Sequence, residues 1–245
     1  MLAGSRNRLW RVRSRFARNW ADRAELAKSA LAKVRLEPVQ RDPRGYPVPS
    51  EFMSTGYLSD TGWYRTVAEQ RVVGPDGRPI PWLIYPMIRL LADRCPPAGM
   101  VVFEYGAGSS TLWWAERALR VVSVEHDAVW YESLRHRVPA NVDLRHVPLN
   151  PALAYEQAVR DAAGPFDMVV IDGRRRSECG GYAVDQLSPE GVILWDNSDR
   201  PRYAEAIREI ENRGFKRLEL HGLAPRDNIS SASSILYRPG NLLDL

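Results

Sequence analysis

From Trp82 onward, short apolar runs alternate with helix-patterned stretches, and this alternation restricts the fold more than any other feature. The runs at 101–105, 121–125, 142–147, 168–172 and 192–196 are short, unbroken and rich in β-branched residues, so they predict strands. Helical patterns fall at 81–94, 109–119, 127–137, 151–163, 176–187 and 201–213. Strands without polar alternation are covered on both faces, so the expectation is an α/β chain with a doubly wound, mostly parallel sheet. The last two runs, 217–221 and 233–237, have no helical segment between them and read as a closing antiparallel pair, which makes seven strands.

Upstream of this unit the chain changes character. Residues 1–36 read as one basic amphipathic helix, with Leu9, Val12, Phe16, Trp20, Ala24, Ala27, Leu31 and Val34 at steps of three and four. Residues 37–79 read as a proline-rich connector, through Pro38, Pro43, Pro47 and Pro49, followed by an aromatic segment and a small hairpin. In that hairpin Arg71-Val72-Val73 and Arg78-Pro79-Ile80 flank the turn Gly74-Pro75-Asp76-Gly77, and Trp63, Tyr64 and Trp82 beside it suggest an aromatic lid. Residues 80–245 make the main domain.

Charge separates the same regions. Residues 1–35 hold ten Arg or Lys against two acids, and the remainder holds 24 against 28, so the total of +4 conceals +8 beside −4. The basic helix suits an anionic membrane surface or a partner protein, whereas the mildly acidic main domain argues against nucleic acid as its partner. No stretch approaches the roughly 18 apolar residues of a membrane span. Cys95 and Cys179 stand far apart, which fits a reducing, cytoplasmic setting, with the helix allowing peripheral attachment at the inner face of a membrane. Oligomerisation stays open.

The segment Val101-Val102-Phe103-Glu104-Tyr105-Gly106-Ala107-Gly108-Ser109-Ser110-Thr111 runs from a strand through Gly-x-Gly into a helix. Two glycines let the backbone approach a ligand, and the helix start offers unpaired N–H groups. A dinucleotide fingerprint would place glycine at 111, where threonine stands, and has no use for Glu104. Glu125 ends the next strand, 21 residues beyond Glu104, placed to accept hydrogen bonds from a ribose.

These residues resemble the class I S-adenosylmethionine-dependent methyltransferases, with a Rossmann-like sheet. Glu104 to Gly108 is similar to their first motif and Glu125 to the acid of their second strand. Phe166-Asp167-Met168-Val169-Val170-Ile171-Asp172-Gly173 resembles the fourth-strand motif, and Ser188 to Asn197 the segment after it. The resemblance implies that Glu104, Gly106, Gly108, Ser109, Ser110, Thr111, Glu125, His126 and Asp172 hold S-adenosylmethionine, with His126 beside the adenine.

In motif layout the chain is nearest the catechol and caffeoyl-CoA type of small-molecule O-methyltransferase. That likeness implies Mg2+ or Ca2+ on Asp172, Asp196 and Asn197, three hard oxygen ligands that would orient an acceptor hydroxyl. It also places Asp172 and Asp196 among the catalytic residues, to which His126 is added as a candidate base. One departure stands out: Arg175 occupies the position of the lysine those enzymes offer as base, and arginine does not deprotonate. His221 and Asp199 are the other candidates. Arg174, Arg175 and Arg176 beside Asp172 suggest an anionic acceptor, either a small molecule or a sugar-containing one. Two competing classes are a catalytically silent scaffold on the same fold and a nicotinamide oxidoreductase, the latter opposed by Thr111 and Glu104.

Overall fold

The computed structural model describes residues 40–41, 45, 47–48, 55–96, 99–151 and 153–245. The basic helix and most of the proline-rich connector lie outside the described residues. The chain divides into two units, Met1–Ser54 and Thr55–Leu245. In the first, Gln40–Arg41 pairs antiparallel with Pro47–Val48, and the Arg41 guanidinium donates to the Gly45 carbonyl across the turn (2.7 Å).

The five short apolar runs of the second unit all form parallel strands. We label them β1 (Met100–Tyr105), β2 (Ala118–Glu125), β3 (Val142–His146), β4 (Phe166–Ile171) and β5 (Leu187–Asp196). The closing pair is β6 (Lys216–Leu223) and β7 (Ser230–Tyr237). The sheet order is β3-β2-β1-β4-β5-β7-β6, with β7 antiparallel to both of its neighbours. The order reverses at β1, so the carboxyl ends of β1, β2 and β4 open a crevice, where open α/β sheets bind ligands.

Side chains alternate across this sheet and fill two separate cores. Phe103, Tyr105, Val122, Val124, Val169, Ile171, Ile193 and Trp195 pack on one face beneath α5 (Arg176–Val184) and α6 (Ala204–Asn212). Met100, Val102, Val121, Met168, Val170, Val192 and Leu194 pack on the other face. There they meet α2 (Tyr85–Arg94) and α3 (Ser109–Ala115), whose Trp113 and Trp114 are core residues. Fully burying a side chain of this kind contributes about 1.5–3 kcal/mol, which is why unbroken apolar runs mark these strands. Gly180 lets α5 reach β5, because a Cβ there would stand 2.6 Å from the Trp195 ring.

Local outcomes differ from the sequence expectation in three places. Residues Trp63–Glu69 form a helix, α1, where the sequence suggested an aromatic lid; Trp63, Tyr64, Thr66 and Val67 bury one helical face between left-handed residues Gly62 and Gln70. The expected helix 109–119 stops at Ala115, and strand β2 begins by Ala118. The expected helix 151–163 is a single turn at Ala154–Gln157, although Tyr155, Ala158, Val159 and Ala162 still bury at helical spacing. The hairpin forms as expected, with Val73 bridging Pro79 and the Thr66 hydroxyl donating to the Val73 carbonyl (2.7 Å). Among the described residues no helix is long and apolar enough to cross a membrane.

Candidate functional site

A cavity of about 600 Å3 opens at the carboxyl ends of β1, β2 and β4, within the range of small-molecule sites. One wall is made of Gly106 to Ser110, Glu125 to Asp127, Trp130, Leu134 and Arg137. Gly106 has φ 91°, and a Cβ on it would lie 2.8 Å from the Gly173 Cα, so glycine is required where the two loops touch. Gly108 differs, since a Cβ there would meet nothing within 4 Å; its openness faces the cavity it lines.

Glu125 organises this wall. Its Oε1 accepts from the His126 and Asp127 amides (both 2.8 Å), and its Oε2 accepts from the Ala107 amide at 3.2 Å. That leaves acceptor capacity on Oε2 for one further donor. His126 Nδ1 stands 2.7 Å from Glu125 Oε1. Asp127 then caps α4 (Ala128–Arg135) by accepting from the Val129 and Trp130 amides, which holds its carboxyl below the usual range. Trp130, from the same helix, donates its indole N–H to the Ala107 carbonyl (2.7 Å). The sequence reading missed Asp127 and Trp130. An Asp two residues after the second-strand acid and three before a tryptophan was the available signal.

Glu104 and Thr111, expected at the cofactor, are fully buried behind the loop. Thr111 Oγ1 donates to Glu104 Oε2 (2.5 Å) and accepts from the Gly108 amide (2.9 Å), while Ser123 also donates to Glu104 (2.6 Å). Burial raises the Glu104 carboxyl above its ordinary range. The pair therefore props the glycine loop from beneath, whereas Ser109 and Ser110 line the cavity itself.

At the other end of the sheet edge, Asp172 follows β4 and Asp196 ends β5. Asp172 lines the cavity; Asp196 is buried and accepts from Ser233 Oγ (2.8 Å). Between them lies the Arg176 guanidinium. Nη2 is 2.8 Å from Asp172 Oδ1, and Nη1 is 3.5 Å from Asp196 Oδ2 and 3.3 Å from Asn197 Oδ1. Burial, then the Asp196 charge, push the Asp172 carboxyl well above the carboxylate range, with Arg176 acting in the opposite direction. His126 lies two strands away, across β1, so it shares the cavity wall with Glu125 and not with Asp172.

No protein-family model matches the chain, and no curated protein matches it. Solved structures do. An O-methyltransferase from Bacillus cereus in complex with SAH is 17% identical, at a TM-score of 0.50 over 77% of this chain and 96% of that one. This chain has the Rossmann-like methyltransferase fold. Two further neighbours are a precorrin 8w decarboxylase from Methanobacterium thermoautotrophicum and a precorrin-6y C5,15-methyltransferase from Geobacter metallireducens. The first is 20% identical at a TM-score of 0.49 over 69% of this chain and 97% of its own. The second is 17% identical at 0.47 over 61% and 86%.

In this methyltransferase fold the glycine-loop wall fits S-adenosylmethionine, since it combines an open Gly108 flank, a buried carboxylate at Glu125 and an aromatic face at Trp130. The metal does not fit in the same way. The oxygens of Asp172, Asp196 and Asn197 that would ligate it already surround a guanidinium. Asn197 instead donates to Ser231 Oγ (3.1 Å). Asp199 accepts from the Ala232 amide, and His221 is exposed on the outermost strand β6 beside Glu219; neither lines the cavity.

The remaining wall comes from Gln70 to Val73, Pro79, Trp82, Arg174 and Arg226. Of the aromatics expected as a lid, only Trp82 lines the cavity; Trp63 and Tyr64 are buried, with the Trp63 indole donating to the Asp227 carbonyl (2.8 Å). Arg226 donates to Gln70 Oε1 (2.6 Å) and stacks 5.6 Å over Trp82. The three successive arginines part company. Arg174 faces the cavity, Arg175 pairs with the buried Glu156 (2.7 Å), and Arg176 is locked between the aspartates.

Proposed function

We propose that the chain is an S-adenosylmethionine-dependent methyltransferase that acts at oxygen on a small anionic acceptor, with a sugar-containing acceptor included in that class. The observation that carries this reading is one cavity in which a Gly-x-Gly loop and Glu125 face an acid, Asp172, across the switch point of a methyltransferase-type sheet. When bound, S-adenosylmethionine supplies an electrophilic methyl on a sulfonium. Glu125 accepts from a ribose hydroxyl, the Ser109 and Ser110 edge of the loop holds the amino-acid end, and His126 and Trp130 flank the adenine.

Asp172 then faces the acceptor. Its raised proton affinity suits a base that takes the proton from an acceptor hydroxyl as the methyl arrives, and Arg176 fixes its orientation. Arg71, Arg174 and Arg226 line the rest of the cavity, and a second, smaller recess of about 340 Å3 beside Arg174 is lined by Arg200 and Arg202. Cationic lining on that scale favours a carboxylate or phosphate on the acceptor. Residues 1–35 are proposed, on charge and amphipathic pattern alone, to rest on an anionic membrane or a partner protein.

Calorimetric titration with S-adenosylmethionine, S-adenosylhomocysteine and NAD tests the reading. Micromolar binding of the first two and none of NAD is expected. Binding of NAD alone would return the chain to the oxidoreductases, and binding of neither class would leave a scaffold.

A further inference from the structure

We propose that Arg176 permanently fills the position of a divalent cation, so that the protein works without a metal, and that shortening this one side chain uncovers a cation site. The guanidinium has five N–H groups, and acceptors exist for all of them. Nε donates to the Gly173 carbonyl (3.0 Å). Nη2 donates to the Asp172 carbonyl (2.7 Å) and to Asp172 Oδ1 (2.8 Å). Nη1 donates to the Asp196 carbonyl (2.5 Å) and lies within 3.5 Å of Asp196 Oδ2 and Asn197 Oδ1.

The side chain is thus saturated by the protein, and it is 9% exposed. A Mg2+ or Ca2+ ion needs oxygens at about 2.0–2.6 Å. An ion at that distance from Asp172 Oδ1 and Asp196 Oδ2 would overlap the guanidinium nitrogens and meet their positive charge. The fixed charge of the guanidinium also opposes the entry of a second cation between the two acids.

Chain geometry makes the arrangement intrinsic. Arg175 is left-handed (φ 47°), and Arg176 opens α5 one turn beyond Asp172, so its side chain returns across the ends of β4 and β5. The three carbonyls it binds belong to those same chain ends. Arg176 is a positioning residue on this account, since it touches Asp172 and not the reacting atoms.

The test is titration of the full chain with Mn2+ by calorimetry and with Tb3+ by luminescence, for wild type, Asp196→Asn, Arg176→Ala, Arg176→Met and Arg176→Ala with Asp196→Asn. The methionine variant keeps the apolar stem and guards against loss of folding, which circular dichroism checks. Wild type is expected to show no site tighter than millimolar. Arg176→Ala or Arg176→Met gains roughly 100-fold or more in cation affinity, and Asp196→Asn abolishes the gain. Wild-type binding in the micromolar range that Asp196→Asn removes overturns the proposal, as does the absence of any gain in a folded Arg176 variant. The proposal does not depend on the methyltransferase reading: failure to bind S-adenosylmethionine would sink that reading and leave the cation titrations to decide this one.

Discussion

The two walls of the cavity are built on different principles. On the glycine-loop wall the decisive groups are main-chain atoms: the amides of Ala107, His126 and Asp127 converge on Glu125, and the Ala107 carbonyl receives Trp130. On the facing wall they are side chains from distant segments, with Gln70 and Arg71 after α1, Trp82 before α2, Arg174 before α5 and Arg226 between β6 and β7. A main-chain site is fixed by the fold and demands few residue identities, so one cofactor is served in one geometry. A side-chain site can be rewritten loop by loop, which is where acceptor choice is made.

The sharpest way to break this division is at Asp172, the acid at the seam. Asp172→Asn keeps an acceptor oxygen for Arg176 but removes the base, and a fall in methyl-transfer rate of about 10²–10⁴ is expected, with cofactor affinity little changed. The pH profile supplies the sign. A raised carboxyl is protonated at low pH and becomes a competent base only as pH rises through its elevated value. The wild-type rate therefore climbs with pH from the acidic side, and the variant loses that limb. A variant profile that kept the limb would assign the base elsewhere.

Next in size is Glu125→Ala, which strikes the cofactor wall alone. A hydrogen bond to a charged group contributes about 1.5–3 kcal/mol, so S-adenosylmethionine affinity should fall about 10- to 150-fold in calorimetry. Acceptor KM at saturating cofactor should stay put. Equal losses on both sides would mean that the walls are not separable.

The same division explains what the sequence revealed. The strands were legible because β1, β2, β4 and β5 are buried on both faces, and the glycine loop was legible because its geometry admits few alternatives. Asp172, Asp196 and Asn197 were found as a group for the same reason, as neighbouring strand ends. What filled the space between them was not legible. Arg174, Arg175 and Arg176 are chemically identical in sequence, and only the left-handed turn at Arg175 sends them to the cavity, to Glu156 and to the aspartates. Glu104 shows the converse: the motif placed it at the cofactor, and its carboxylate is instead buried behind the loop, accepting from Thr111 and Ser123.

A smaller effect is expected at Arg174, which lines the cavity and, unlike Arg176, is exposed. Because this side chain is exposed, screening limits its pull on an anionic acceptor to about 1 kcal/mol, so Arg174→Ala should raise acceptor KM about 5-fold and leave S-adenosylmethionine binding alone. The rise should shrink as salt is added. An unchanged KM at low salt would remove Arg174 from the acceptor wall and weaken the proposal of an anionic acceptor.

The smallest effect tests whether the cofactor wall is held by α4. Asp127 caps that helix through Oδ1, which accepts from both the Val129 and Trp130 amides (2.9 Å each). Losing a cap of this type lowers Tm by about 2–4 °C in a chain of this size. Those bonds hold the Asp127 carboxyl below its usual range, so the contribution is present above the unfolded value, about pH 4, and disappears as pH falls through the folded one. Asp127→Ala should therefore melt earlier than wild type at pH 7, and the gap should narrow progressively as pH falls below about 4. Since Trp130 leaves the same helix turn to reach Ala107, a modest loss of cofactor affinity should accompany the shift; a Tm change with none would mean that the glycine loop keeps its shape without α4.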